Sequence, residues 1–110
     1  DVEDNYTIMK EEPFGPLVPI LTFKTFDEVI ERANDNDLGL CSYLYTNSMD
    51  KAHIGSEKLE TGCVAVNTGV VALAEAPFGG IKQTGYGREG GSGAIKDYLN
   101  VKYTHMGLKI

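Results

Sequence analysis

The sequence predicts an α/β fold with a largely parallel sheet, and two observations carry this prediction. Short apolar runs alternate along the chain with amphipathic stretches, in the order strand, helix, strand, helix, strand. The chain has 110 residues, which is room for one domain. Strands that alternate with helices favour right-handed crossover connections and therefore parallel pairing.

The first strand and the first helix are predicted in the first third of the chain. Residues 17–23 form a nearly continuous apolar run, typical of a strand buried on both faces, with Pro19 near its start or on an edge. A helix over residues 26–34 follows, because Thr25 and Glu28 have the spacing of a capping box. Its apolar residues recur on one helical face.

Two more strands complete the alternation. They are predicted over residues 40–45 and 62–66, which are short apolar runs. Between them, Ser48 can cap a helix over residues 49–59. We also expect a short strand over residues 6–9.

The last third of the chain differs in kind. Seven of the thirteen glycines lie in residues 79–93, so we expect irregular or tightly turned backbone there. A short helix over residues 94–99 follows. Residues 101–108 alternate loosely between apolar and polar, which is typical of a terminal strand with no later strand in this chain to pair with.

Charge and composition exclude several functions. The formal net charge is −6, with thirteen acids and five bases in residues 1–60 and three acids and five bases in residues 61–110. An acidic chain without a basic run is a poor binder of nucleic acid or anionic membrane. No apolar run approaches the about 20 residues that span a bilayer. With no signal peptide and no disulfide framework, we expect a cytoplasmic protein.

Candidates for nucleophilic or metal chemistry are few. Cys41 and Cys63 each lie in a predicted apolar strand, whereas a catalytic thiolate needs partial exposure and an electropositive or histidine partner. Small buried hydrophobes are therefore the favoured interpretation. His53 and His105 lack metal-ligand spacing, so we predict no metal site and solvated or partner-contacting histidines.

Residues 85–90 match the Gly-x-Gly-x-x-Gly pattern of dinucleotide-binding loops only formally. They lack the strand–turn–helix setting and an acidic residue about 20 positions later. We interpret them as a chain-reversing loop in which Arg88 and Glu89 form a structural ion pair, with an anion contact as the alternative. A weaker hypothesis is a small anion-binding domain that uses Lys82 and Arg88.

A rigid turn near the N-terminus presents a carboxylate and an aromatic ring. Glu11–Pro16 reads Glu-Glu-Pro-Phe-Gly-Pro; its prolines fix φ, and Gly15 permits conformations that other residues resist. From spacing alone, an acidic surface turn is the favoured interpretation.

Two long motifs resemble signatures of the NAD(P)-dependent aldehyde dehydrogenase family. Glu11–Ile20 resembles the family's Glu-Glu-x-Phe-Gly-Pro motif, and Pro77–Gly90 resembles its Pro-Phe-Gly-Gly-x-Lys-x-Ser-Gly-x-Gly-Arg-Glu signature. Residues 64–69 and 90–102 are most similar to succinate-semialdehyde dehydrogenases and related semialdehyde or hydroxyaldehyde enzymes. The resemblance covers essentially the whole chain.

The resemblance implies a fragment of a larger enzyme. Residues 1–100 would be the C-terminal part of a three-layer α/β catalytic domain, and residues 101–110 an oligomerisation strand of a homodimer or homotetramer. The parent would oxidise a small aldehyde, with a semialdehyde favoured, using NAD or NADP through a cysteine thiohemiacetal and a thioester. Its cysteine, general-base glutamate and oxyanion-hole asparagine lie upstream in the family. No catalytic residue is therefore expected in this chain, which should be inactive alone.

The resemblance also implies roles for four residues. Glu12 would accept hydrogen bonds from the nicotinamide-ribose hydroxyls, and Phe14 would pack beside the nicotinamide. Phe78 would line the aldehyde channel, and residues 68–76 would form the loop that sets substrate choice. Ala72 stands where succinate-semialdehyde enzymes commonly place a serine for the distal carboxylate. This weakens the succinate assignment, because a buried carboxylate without donors is costly.

A function of a different class is left open: a non-catalytic interaction module derived from this fold. Its unpaired strands would bind a partner or a second copy. Exposed apolar patches on the isolated chain are expected to promote dimerisation or strand swapping in either case.

Overall fold

Helices and strands alternate through the middle of the chain, as predicted. The structure, a computed structural model, describes residues 2–109. Its elements are α1 (Thr7–Lys10), α2 (Phe26–Asn34), β1 (Leu38–Gly39), β2 (Cys41–Leu44), α3 (Met49–Lys58), β3 (Cys63–Val66), β4 (Ile81–Lys82) and a 3-10 helix (Ala94–Tyr98). Among the described residues, no helix is long and apolar enough to cross a membrane.

The strands form two separate pairs. β2 and β3 are parallel, with Cys41 opposite Cys63 and Leu44 opposite Val66, and α3 connects them and packs against β3 and α2. β1 and β4 are antiparallel, with Leu38 opposite Lys82. The predicted parallel pairing is confirmed for β2 and β3. Within residues 2–109, however, the larger parallel sheet is reduced to this one pair.

Helix α2 begins where the capping pattern predicts. The Oγ1 of Thr25 accepts a hydrogen bond from the backbone N–H of Glu28 at 3.2 Å. The Glu28 carboxylate accepts from the N–H of Lys24 at 2.8 Å, one residue before the expected partner. This hydrogen bond from Lys24 is the main cause that lowers the pKa of Glu28. The start of α2 is therefore fixed from both sides.

Helix α3 lies close to the parallel pair because of a glycine. Ser48 caps the helix, accepting from the N–H of Lys51 at 3.3 Å. Gly55 is buried, and a Cβ built on it would lie 2.5 Å from the Cδ2 of Leu44. The most buried apolar side chains of the described residues are Ile30 and Ala65, which are 7% and 4% exposed.

The C-terminal ends of α2 and α3 are joined by side chains. The Nδ2 of Asn34 donates to the carbonyl of Lys58 at 2.8 Å, and its Oδ1 accepts from the N–H of Glu60 at 2.9 Å. The Nζ of Lys82 donates to the carbonyls of Asn34 and Asn36 at 2.9 and 3.0 Å and pairs with the Glu60 carboxylate at 2.8 Å. These contacts satisfy carbonyls that a helix end leaves unpaired.

Replacement of Asn34 tests this junction. Asn34→Ala removes two hydrogen bonds, so we expect the free energy of unfolding to fall by about 1–3 kcal/mol. Urea unfolding followed by circular dichroism measures the change. Asn47→Ala is the matched control: the Asn47 side chain is exposed and makes no hydrogen bond to the described residues. It should shift stability by less than about 0.5 kcal/mol. Equal effects of the two substitutions would contradict the proposed role of the junction.

The strand predicted over residues 17–23 is not formed. Its large apolar side chains are mostly exposed, with Leu17 at 60%, Val18 at 81%, Ile20 at 75% and Phe23 at 55%. The backbone of Leu17 donates to Gly15 across a turn at 2.8 Å, and no strand among the described residues lies beside this run. The prediction was wrong because an apolar run becomes a strand only where a neighbour exchanges backbone hydrogen bonds with it.

Both chain ends also differ from prediction. Residues 7–10 form the short helix α1 instead of a strand, with the N–H of Glu11 donating to Thr7 at 2.9 Å. Residues 101–108 form no strand within the described part of the chain and are exposed throughout. The predicted helix near residue 94 is confirmed as the short 3-10 helix.

Candidate functional site

The glycine-rich segment reverses the chain, as predicted. Phe78 and Glu89 form an antiparallel bridge in which each backbone N–H donates to the other's carbonyl at 2.7 Å. Between them, Gly85 and Gly87 have φ of +115° and +95°, values that favour glycine. The backbone of Phe78 is thereby held in a defined position.

Arg88 fixes this loop through backbone carbonyls. Its Nη1 donates to Gly80 at 2.8 Å and to Gly87 at 2.7 Å. Among the salt bridges of the described residues, none joins Arg88 to Glu89, so the ion pair predicted between them is wrong. The nearby carbonyls satisfy the guanidinium instead. Lys82 contacts carbonyls at the C-terminal end of α2 and the Glu60 carboxylate. Both cations of the anion-binding hypothesis, Lys82 and Arg88, therefore already have partners within this chain.

The Phe78 segment lies directly on the start of β3. A Cβ built on Gly62 would meet the carbonyl oxygen of Gly79 at 1.7 Å, so the two backbones touch. The Cys63 thiol donates to the same carbonyl at an S···O distance of 3.8 Å. The Oγ1 of Thr84 accepts from the N–H of Gly39 at 2.8 Å, which ties the loop to β1. The half-buried Phe78 is thus positioned by both strand pairs.

Asn67 fixes the point where the loop of residues 68–76 leaves β3. It has a left-handed φ of +56°, and its side chain donates to the carbonyl of Thr46 at 2.9 Å and accepts from the N–H of Thr46 at 2.8 Å. No positioning role was predicted for this residue. The available signal is an asparagine directly after an apolar strand, since asparagine tolerates left-handed backbone better than most residues.

The loop that contains Ala72 is apolar and lies beside the Phe78 segment. Ala72 is exposed, and Val70 and Leu73 are 58% and 55% exposed. The N–H of Gly91 donates to the carbonyl of Ala74 at 3.0 Å, which joins the loop to the residues that follow Glu89. This hydrogen bond joins the loop that contains Ala72 to the segment that follows the Phe78–Glu89 bridge.

The predicted cofactor residues lie on the exposed N-terminal segment. Glu12 is exposed and Phe14 is 94% exposed. Among the hydrogen bonds of the described residues, none joins residues 11–21 to residues 60–91. The structure therefore does not connect Glu12 and Phe14 to Phe78 through hydrogen bonds.

The thiols and imidazoles lie in ordinary environments. Cys41 and Cys63 are half-buried in the parallel pair, which confirms their predicted place in strands. Burial, together with the neighbouring Cys63 thiol, raises the pKa of Cys41, so Cys41 carries little of the thiolate that a nucleophile needs. His53 and His105 are exposed. Within residues 2–109, no cluster of three or more His, Cys, Asp or Glu side chains could hold a metal ion.

Comparison with known proteins gives consistent matches. The model of the aldehyde dehydrogenase family matches residues 1–104. The chain is 46% identical over 107 residues to the mitochondrial succinate-semialdehyde dehydrogenase of Arabidopsis thaliana, covering 97% of this chain and 20% of that protein. It is 46% identical over 108 residues to the Escherichia coli succinate-semialdehyde dehydrogenase [NADP(+)] GabD, covering 98% and 22%.

A solved structure agrees with these sequence matches. The NAD+ complex of an aldehyde dehydrogenase from Bacillus cereus superposes with a TM-score of 0.89 at 47% identity, covering 93% of this chain and 21% of that one. The chain thus spans about a fifth of the length of the relatives that it matches.

Proposed function

This chain belongs to the aldehyde dehydrogenase family, and we propose its function from that membership. The chain forms the C-terminal part of an oxidoreductase that oxidises a small aldehyde to the carboxylate with NAD or NADP. The reaction runs through a cysteine thiohemiacetal and a thioester, and residues outside this chain supply the nucleophile and the general base. The observation that carries the proposal is the pair of long motifs, Glu11–Ile20 and Pro77–Gly90, in the family's order.

Glu12 and Phe14 hold the cofactor in this proposal. A carboxylate accepts hydrogen bonds from both hydroxyls of a ribose diol, and the exposed Glu12 side chain leaves its oxygens available. The exposed Phe14 ring stands on a turn stiffened by two prolines and offers an apolar face to the nicotinamide, the hydride acceptor. The names of relatives with NADP(+) and NAD+ support either cofactor.

Phe78 and the loop of residues 68–76 shape the aldehyde site in this proposal. The side chain of Ala72 offers no hydrogen-bond donor, so a substrate carboxylate at that place would lack a side-chain partner there and lose its hydration at a cost. The names of the Arabidopsis and E. coli relatives support a semialdehyde substrate. The apolar loop favours a semialdehyde other than succinate semialdehyde, or a less polar aldehyde.

The rest of the parent enzyme covers this chain's exposed surface in the proposal. The described residues expose 9406 Å², whereas a compact monomeric protein of 12.0 kDa exposes about 6,000 Å². We propose that residues 1–100 complete a three-layer α/β domain with a largely parallel sheet. Residues 101–110 then add a strand to a subunit interface in a homodimer or homotetramer. Two cysteines do not make the disulfide framework of a small secreted domain, which supports a cytoplasmic location.

A non-catalytic interaction module is the second candidate. Apolar side chains are exposed at residues 17–23 and 101–108. They favour the interaction module as much as the enzyme fragment, because such surface also suits a partner protein. The two candidates differ in whether this chain can complete an active aldehyde dehydrogenase.

A chimera distinguishes the two candidates. This chain would replace the matching 108 residues of E. coli GabD, and NADPH formation would be measured with succinate semialdehyde and with less polar aldehydes. We expect turnover of at least one aldehyde. A chimera that is folded by circular dichroism but turns over no aldehyde would favour the interaction module.

The 110-residue chain alone is expected to be inactive. Its two thiols are half-buried in strands, and burial raises the pKa of Cys41, so neither is placed as the nucleophile for the thiohemiacetal in this proposal. The assay uses NAD+ and NADP+ with several aldehydes. Clear turnover by the purified chain would overturn the fragment interpretation.

A further inference from the structure

The two thiols of this chain stand opposite each other in the parallel strand pair. Cys41 in β2 and Cys63 in β3 are register partners, and the sequence contains no other cysteine. Both are free and half-buried. Neither thiol is assigned a role in the proposed aldehyde reaction.

The strand register places these thiols within reach of a covalent bond. Neighbouring strands lie about 4.8 Å apart, and disulfides join residues whose Cα atoms lie about 4.4–6.8 Å apart. Register partners of a parallel pair project to the same face of the sheet. The next register pair, Ser42 and Val64, projects to the opposite face.

One observation supports the proximity of the thiols. Burial and the neighbouring Cys63 thiol together raise the pKa of Cys41. Cys63 also donates its S–H to the carbonyl of Gly79 at an S···O distance of 3.8 Å. Loss of that S–H would therefore remove a contact between β3 and the segment that carries Phe78.

We propose that Cys41 and Cys63 form a reversible intramolecular disulfide when the chain meets a small-molecule disulfide such as oxidised glutathione. The Cys63 thiolate attacks the glutathione disulfide, forming a mixed disulfide and releasing glutathione thiolate, which takes up a proton. Cys41 then loses its proton and attacks the Cys63 sulfur, forming the Cys41–Cys63 bond and releasing the second glutathione thiolate, which takes up that proton. The two cysteines lose two electrons, and oxidised glutathione gains them.

Oxidation changes a contact with the segment that carries Phe78 and leaves the strand pair unchanged. A disulfide has no S–H, so oxidation removes the hydrogen bond from Cys63 to Gly79. The register that holds β2 against β3 is unchanged, because backbone hydrogen bonds form it. The oxidised chain thus keeps its strand pair and loses one contact to the Phe78 segment.

The test measures the equilibrium between thiols and disulfide in buffers of reduced and oxidised glutathione. Samples are quenched with acid and alkylated, and the linked peptides are mapped by mass spectrometry. The effective concentration of the two thiols is measured in buffer and in 6 M urea, where about 20 intervening residues connect the thiols loosely. We expect at least a tenfold higher value in buffer.

A positional swap provides the matched control. The variant Cys41→Ser/Ser42→Cys keeps the composition and moves one thiol to the opposite face of β2. In buffer it should lose the tenfold advantage, whereas in urea it should match the parent chain. Single variants Cys41→Ser and Cys63→Ser should form only mixed disulfides with glutathione.

Three results would overturn the proposal: equal effective concentrations in buffer and urea, equal values for the parent and the swap variant in buffer, or only mixed or intermolecular disulfides. Peptide mapping of the GabD chimera provides a second measurement that does not depend on the isolated chain folding. There, a linked peptide joining residues 41 and 63 supports the proposal, and its absence from the oxidised, folded chimera contradicts it. Neither measurement requires aldehyde turnover. Failure of the disulfide proposal can therefore be distinguished from failure of the proposed function.

Discussion

Gly62→Ala is expected to destabilise the chain by about 3 kcal/mol, a large effect for the addition of one methyl group. The added Cβ would lie 1.7 Å from the carbonyl oxygen of Gly79 and 2.9 Å from the Cα of Gly80. Both neighbours are backbone atoms, so no side-chain rotation relieves the clash. The Phe78 segment must move away from β3, and its contact with Cys63 is lost with it.

Urea unfolding measures this effect, with Gly93→Ala as the control. A Cβ on Gly93 meets nothing within 4 Å, and its backbone has the helical φ of −84° and ψ of −23°. The control should change stability by less than about 0.5 kcal/mol. If the two variants unfold at the same urea concentration, the close approach of Gly62 and Gly79 is wrong.

Glu12→Gln in the GabD chimera is expected to raise the apparent KM for NADP+ about tenfold or more. A hydrogen bond to a charged acceptor is worth more than one to a neutral amide. Glutamine keeps the length of the side chain but replaces one acceptor oxygen with an NH2 donor, so a ribose diol no longer has two equivalent acceptors. The substitution changes no hydrogen bond among the described residues, because Glu12 is exposed and its side chain has none there.

The neighbouring carboxylate is the control for this prediction. Glu11→Gln makes the same chemical change one residue earlier, also at an exposed position. It should leave the KM for NADP+ within about twofold of the unsubstituted chimera. Equal increases for the two variants would show a general charge effect and would remove the specific role of Glu12.

Local signals in the sequence predicted the middle of the fold well. Thr25 and Ser48 cap the helices that their spacing indicates, and the apolar runs at Cys41–Leu44 and Cys63–Val66 form the parallel pair. These outcomes depend on side chains and backbone groups a few residues apart or on one crossover. The described residues contain all the partners that these elements need.

Apolar runs without a partner could not be predicted correctly. Residues 17–23 and 101–108 have the composition of strands, yet strand formation depends on a neighbouring chain segment that composition does not identify. Within the described residues, no such neighbour lies beside either run. Their apolar character instead indicates surface that suits contact with a further protein segment or with a partner protein.

The contacts of the site could be predicted only in part from the sequence. The chain reversal between Phe78 and Glu89 follows from glycine spacing, but the partners of Arg88 do not. A guanidinium bonds to whatever acceptor the fold brings near, and here those acceptors are the carbonyls of Gly80 and Gly87. Similarly, the side-chain bonds of Asn67 to Thr46 depend on two strand ends that meet only in three dimensions.

We propose that this chain completes an aldehyde dehydrogenase, and NADPH formation by the GabD chimera is the direct measurement of that role. GabD without the matching residues provides the baseline and is expected to form no NADPH. The folded chimera is expected to restore aldehyde-dependent NADPH formation well above that baseline. If a folded chimera stays at the baseline with every aldehyde tested, this chain does not complete the enzyme.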